Sequence, residues 1–153
     1  MANDDEPIVR EIYIDASPEE TFPYFTDSDK YLRWMGIEAE LDARPGGIFK
    51  VDPNGRDVIA GEFLAVEPPH RIVFTWGWAE AGRPLQAGST TVEIELIPQG
   101  EGTLLRLVHR GLSRSDREKH LLGWPHYLAR LQTAVAGGDP GLDPLAVPTY
   151  RHG

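Results

Sequence analysis

GEFLAVEPPHRIVFTWGW, residues 61–78, reads as two strands folded back on each other at Pro68-Pro69. In the second, Arg71 to Trp78, the residues Ile72, Phe74, Trp76 and Trp78 point one way and Val73, Thr75 and Gly77 the other, because side chains alternate across a strand. Three large aromatics on one face of one strand either fill a core or line a hollow one. Phe49 and Phe63, on neighbouring strands, are expected on the same inner face.

Outward from this pair the pattern is an antiparallel meander. Upstream, Glu38 to Ala43 and Ile48 to Asp52 are strands separated by Gly46-Gly47, and Asp52-Pro53-Asn54-Gly55 is a hairpin turn leading into Val58 to Glu67. Downstream, residues 79–89 carry the Gly, Pro and Ser of a loop, after which Thr91 to Ile97 and Thr103 to Arg110 alternate again. In the last of these, Arg106 and Arg110 prefer water, so Leu105, Leu107 and His109 face inward.

Ahead of the meander, Ile8 to Asp15 is a strand. A helix follows, with Ser17 as N-cap, Pro18 in the first position and Glu20 closing a capping box, and it runs on through Phe25. A second short helical turn runs from Ser28 or Asp29 to Trp34. At the other end, Ser115 and Glu118 form a second capping box, and Leu121, Trp124, Leu128, Leu131 and Val135 make the apolar stripe of a long helix that Gly137-Gly138 stops. Pro125 lies inside this stripe and predicts a kink after Leu121. Residues 1–138 thus form one domain, and 139–153 a Pro-rich tail that either frays or is anchored by Leu142, Leu145 and Val147.

The 153 residues carry a formal net charge of -9, which suits one domain and disfavours a phosphate-backbone partner, since nucleic-acid binding needs clustered Lys and Arg. No apolar run spans a bilayer, and the acidic Met1 to Glu6 has the wrong sign for a signal peptide. The cysteine count of 0 excludes disulfides, thiolate metal sites and cysteine nucleophiles, and makes the cytoplasm the simplest expected location. His120 and His126 are six apart on the long helix, on different faces, so they do not form an i, i+4 metal pair; no metal or cofactor is expected. Walker, G-x-G-x-x-G and G-x-S-x-G patterns are all absent.

Strand, two short helices, a meander of about six strands and one long helix imply an α+β fold in which a bent sheet grips a helix. Five segments carry a resemblance as well: TFPYFTDSDKYLRWMG, DARPGGIFKVD, GEFLAVEPPHRIVFTW, GTLLRLVHRGL and GWPHYLARL. In this order the chain, from about Ile8 to Ala136, resembles the START-like (SRPBCC) superfamily, in the branch related to the activator of heat-shock chaperone ATPase. The resemblance implies a helix-grip fold, like that of the birch-pollen allergen: six to seven strands around a C-terminal helix, with an internal apolar cavity. It implies no fixed catalytic motif, and members range from binders to polyketide cyclases and co-chaperone domains.

Cavity-lining candidates follow from both readings. Trp34 and Met35 either gate the cavity or plug the core; Phe74 fits a filled core, whereas Trp76 and Trp78 suit a half-polar pocket because an indole N–H wants a partner. Phe49, Phe63 and Leu107 come from the sheet, and Trp124, Tyr127 and Leu128 from the long helix. His109 is either a satisfied core histidine or a polar anchor for a ligand carbonyl or hydroxyl. Three functions are compatible with this set: a binding module for a small apolar molecule, a cyclase- or hydratase-like enzyme using His109 and Tyr127, and a partner of a chaperone ATPase. A homodimer fits each of them.

Overall fold

A computed structural model describes residues 7–52, 58–79 and 88–140. The strands are β1 (Ile8–Ile14), β2 (Glu38–Leu41), β3 (Ile48–Asp52), β4 (Ile59–Glu67), β5 (Arg71–Trp76), β6 (Thr90–Gln99) and β7 (Gly102–Arg110). They form one curved antiparallel sheet in the order β1-β7-β6-β5-β4-β3-β2. The meander pairs each strand with the next from β2 to β7, and β1 closes onto β7 at the far edge. The α+β helix-grip architecture expected from the sequence is therefore present.

Three one-turn helices, α1 (Pro18–Thr21), α2 (Pro23–Thr26) and α3 (Ser28–Tyr31), connect β1 to β2. The capping box is made in both directions: Glu20 N–H donates to Ser17 Oγ at 3.1 Å, and Ser17 N–H donates to Glu20 Oε1 at 3.1 Å. The expected single helix through Phe25 is instead two pieces, because Pro23 has no N–H to continue the ladder and starts α2 afresh. Asp27 caps α3, accepting from Asp29 N–H at 2.9 Å. Gly36, at φ 96°, then turns the chain into β2 through a conformation that L side chains rarely adopt.

The long helix α4 runs from Arg114 to Val135, continuous across Pro125. It starts earlier than the Ser115 cap implied, since Ser113 C=O already accepts from Arg117 N–H at 2.8 Å. It ends in a Schellman turn: Gly137 stands at φ 94°, and Gly138 N–H reaches Thr133 C=O at 2.9 Å. The Asp52–Gly55 turn, most of the loop at 79–89 and the tail anchors Leu142, Leu145 and Val147 lie outside the described residues.

On the outer face, one register row crosses five strands with alternating charge: Glu67, Arg71, Glu95, Arg106, Glu11. Arg106 Nε lies 3.4 Å from Glu11 and its Nη1 3.6 Å from Glu95, while Arg71 bridges Glu67 at 3.3 Å and Glu93 at 2.8 Å. The inner face carries the core, including Ile72, Phe74, Trp76, Val92, Ile94, Leu96, Leu105 and Leu107. No helix among the described residues is long and apolar enough to cross a membrane.

Candidate functional site

A continuous file of rings runs between sheet and helix. Phe25 and Tyr31 pack on Trp34, with centroids 5.5 and 4.8 Å away, and Tyr31 meets Phe49 at 6.1 Å. Phe49 stacks on Phe74 at 4.1 Å, meets Phe63 edge-on at 5.7 Å and reaches Trp76 at 6.0 Å. At the α1–α3 end the file is closed: Trp34 Nε1–H donates to Tyr24 C=O at 3.0 Å, and Tyr31 Oη–H donates to Met35 Sδ at 3.3 Å. Burial, and then the neighbouring Tyr127 phenol, push the Tyr31 phenol above its ordinary range.

At the other end the file becomes polar. Trp76 is 5.1 Å from Trp124, 5.8 Å from His109 and 6.2 Å from His120, and the two imidazoles are 5.1 Å apart. Trp124 Nε1 lies 3.1 Å from His109 Nδ1, His109 Nε2 lies 2.9 Å from Thr90 Oγ1, and Thr90 Oγ1 lies 2.7 Å from Trp76 C=O. An indole N–H can only donate, so His109 Nδ1 must be bare and its Nε2 must carry the proton. The donors then all point one way: Trp124 to His109, His109 to Thr90, Thr90 to the backbone of β5. By the same logic Trp76 Nε1–H donates to His120 Nε2 at 3.2 Å, which leaves that nitrogen unprotonated as well.

His109 is 0% exposed. Burial, and then the His120 ring, hold its pKa down to about 2, because an imidazolium there would be poorly solvated and would turn an N–H toward the Trp124 N–H. With both nitrogens engaged, His109 links Trp124 on α4 to Thr90 on the sheet.

The two halves of α4 are held by different chemistry. After Pro125, Arg130 Nε–H donates to Trp34 C=O at 3.0 Å, Gln132 Nε2–H to Tyr13 C=O at 2.7 Å, and Tyr24 Oη–H to Ala134 C=O at 3.4 Å. The helix backbone also runs close to β1. Before Pro125, two indole–imidazole bonds join the helix to the sheet, from Trp124 to His109 and from Trp76 to His120. Pro125 sits at the boundary and leaves Leu121 C=O without its usual i+4 donor.

Of the sequence candidates, Phe49, Phe63, Phe74, Trp76, Leu107, Trp124 and Leu128 are buried in one cluster, the buried His109 meets its Trp76 and Trp124 rings, and Tyr127 packs against it half-buried. Trp34 and Met35 lie in the same core at its other end. Trp78, two residues past the end of β5, continues the β4–β5 pairing through its bridge to Ile59 and packs half-buried against the same core. Surface clefts lie elsewhere. One, of about 480 Å³, is lined by residues such as Leu32, Ile37, Glu38 and Lys50; another, of about 400 Å³, by Arg33, Arg130 and Asp139 among others. Among the described residues no group of His, Asp or Glu is placed to hold a metal ion.

The sequence pattern of the family described as Activator of Hsp90 ATPase homolog 1-like protein matches residues 15–136. The chain belongs to that family. An AHSA1-like protein from Rhizobium etli, solved by NMR, is 45% identical with a TM-score of 0.73, over 92% of this chain and 88% of that one. CalU16 from Micromonospora echinospora is 30% identical in its crystal structure, TM-score 0.70, over 86% and 76%. The Aha1 dimer from Colwellia psychrerythraea shares the fold at 22% identity, TM-score 0.74, over 87% and 98%. No curated protein matches the sequence.

Two residues of this cluster escape a reading by sequence motif. His120 lies four residues before Trp124, hence on the same helix face, although its spacing from His126 draws attention away from it. Thr90 extends the inward alternation of Val92, Ile94 and Leu96 back by one step, and register sets it opposite Trp76.

Proposed function

We propose that this AHSA1-like domain binds a small apolar molecule between the curved sheet and the first half of α4, at the cluster of Trp76, His109 and Trp124. One observation carries the reading: α4 is fixed to backbone carbonyls after Pro125 but attached to the sheet by exchangeable indole–imidazole bonds before it. The first half can therefore lift while the second half keeps the fold closed. A ligand entering beneath it gains roughly 25 cal/mol for each Å² of apolar surface it buries.

The binding reading is favoured over a cyclase-like enzyme because His109, the inward base candidate, is neutral with both nitrogens in use. In this reading the chain works in the cytoplasm without cofactor, metal, nucleic acid or membrane. A homodimer or a chaperone-ATPase contact would use the charged outer face of the sheet and leave the cluster untouched.

Titration with the fluorophore N-phenyl-1-naphthylamine, together with native mass spectrometry of the purified protein, tests the proposal. Saturable dye binding by the wild type, weakened in Trp76→Ala with the far-UV circular dichroism retained, is the expected result. Absence of both dye binding and any small-molecule adduct rejects it.

A further inference from the structure

If the first half of α4 lifts, Trp124 leaves His109, and whatever enters must replace what Trp124 supplied. That is a hydrogen-bond donor on a flat ring. The requirement follows from the direction of the hydrogen-bond chain. Thr90 gives its proton to Trp76 C=O at 2.7 Å and so accepts from His109 Nε2 at 2.9 Å, which leaves Nδ1 as a bare lone pair wherever Trp124 goes. Leaving a buried acceptor unpaired is penalised heavily, whereas an occupant that donates to it restores the bond.

Resting on the binding reading above, we infer that the site selects neutral aromatic molecules bearing one O–H or N–H donor, of phenol or indole type, over ethers, ketones and carboxylates of the same shape. A ketone or ether can accept from the Trp76 N–H that His120 leaves, but it presents a lone pair to the His109 lone pair and leaves that acceptor unpaired. A carboxylate cannot donate when ionised, and it brings charge into a seam where His109 is 0% exposed, Trp76 3% and Trp124 4%. The ring itself is accommodated against Trp76, which stays on the sheet and already packs on the Trp124 indole at 5.1 Å. Donor selection thus comes from one tautomer, fixed two bonds away by the β5 backbone.

The test uses matched probes that differ only in the donor: 1-naphthol against 1-methoxynaphthalene, and indole against 1-methylindole. In competition with N-phenyl-1-naphthylamine on the wild-type chain, the donor-bearing member of each pair should bind on the order of tenfold more tightly. In Trp124→Ala, indole should raise the melting temperature and 1-methylindole should not. Should that variant not fold, a long-range ¹⁵N–¹H spectrum of the wild type shows which His109 nitrogen carries the proton, and protonated Nδ1 overturns the inference. Equal binding within both probe pairs also overturns it, while leaving apolar binding intact. If no probe and no dye binds the wild type, the binding reading and the inference fall together.

Discussion

Acidification from pH 7 to pH 5 should weaken this protein through His109. In the unfolded chain His109 has an ordinary pKa of 6.5; in the folded state burial and the His120 ring hold it at about 2. Between these values the unfolded state binds a proton that the native state does not. Stability from this residue is therefore complete above pH 6.5 and is lost as pH falls, at about 1.4 kcal/mol per pH unit, until the folded pKa is reached. At pH 5 the loss relative to pH 7 is about 2 kcal/mol, a large share of the roughly 5–15 kcal/mol by which domains of this size are stable. The assay is urea denaturation followed by tryptophan fluorescence at pH 7, 6 and 5, on the wild type and on His109→Phe. The variant retains His70, His120, His126 and His152, so the difference between the two chains reports on His109. The wild type should lose about 2 kcal/mol more than the variant across this range. Parallel loss in both would mean that His109 takes up its proton without resistance, and the one-way hydrogen-bond chain would be wrong.

Other perturbations separate the parts of the fold. Trp34→Phe removes the N–H that meets Tyr24 C=O at 3.0 Å and should cost about 2 kcal/mol in denaturant, with binding at the far cluster unchanged; no measurable cost would mean that carbonyl is satisfied otherwise. Gly61→Ala places a methyl against the Thr75 carbonyl of the paired strand and should destabilise by about 2 kcal/mol or more, read as a lower melting temperature; a neutral outcome would show that β4 and β5 separate easily. Arg71→Ala, on the solvated ladder with its side chain 38% exposed, should change stability by no more than about 1 kcal/mol, and less at high salt; a larger loss would mark the ladder as a structural network. Amide hydrogen exchange in α4 should be faster before Pro125 than after it, and uniform protection along the helix would contradict the two-part attachment.

How much of this was legible in the sequence depends on the kind of order involved. Alternation found the strands: Ile48 to Asp52 falls where it was expected, and His109 faces inward because Arg106 and Arg110 do not. Periodicity reports a face, however, not a partner. The alternation that aligns Trp78 with Trp76 holds through its bridge to Ile59 and packs it against the core, but it does not rank the half-buried Trp78 below the buried Trp76. The one-turn helices were legible only as helix, since the split at Pro23 depends on a missing N–H whose effect the local pattern does not rank. His120 and Thr90 were hidden for a further reason. Their roles exist only once α4 lies across β5, β6 and β7, and no local spacing encodes that juxtaposition.

The composition of the seam explains why polar groups stand where hydrocarbon would pack as well. A purely aliphatic interface would hold the first half of α4 by contacts that any apolar molecule could replace, and it would select only by size. Here each indole N–H is matched to one imidazole lone pair, so lifting the helix leaves defined unpaired atoms behind. Those atoms penalise both an empty seam and an occupant lacking the right donor. On the binding reading, the same neutral imidazole that makes the domain sensitive to acid would also make the seam selective. The two properties should be lost together when His109 is replaced by a side chain that neither titrates nor accepts.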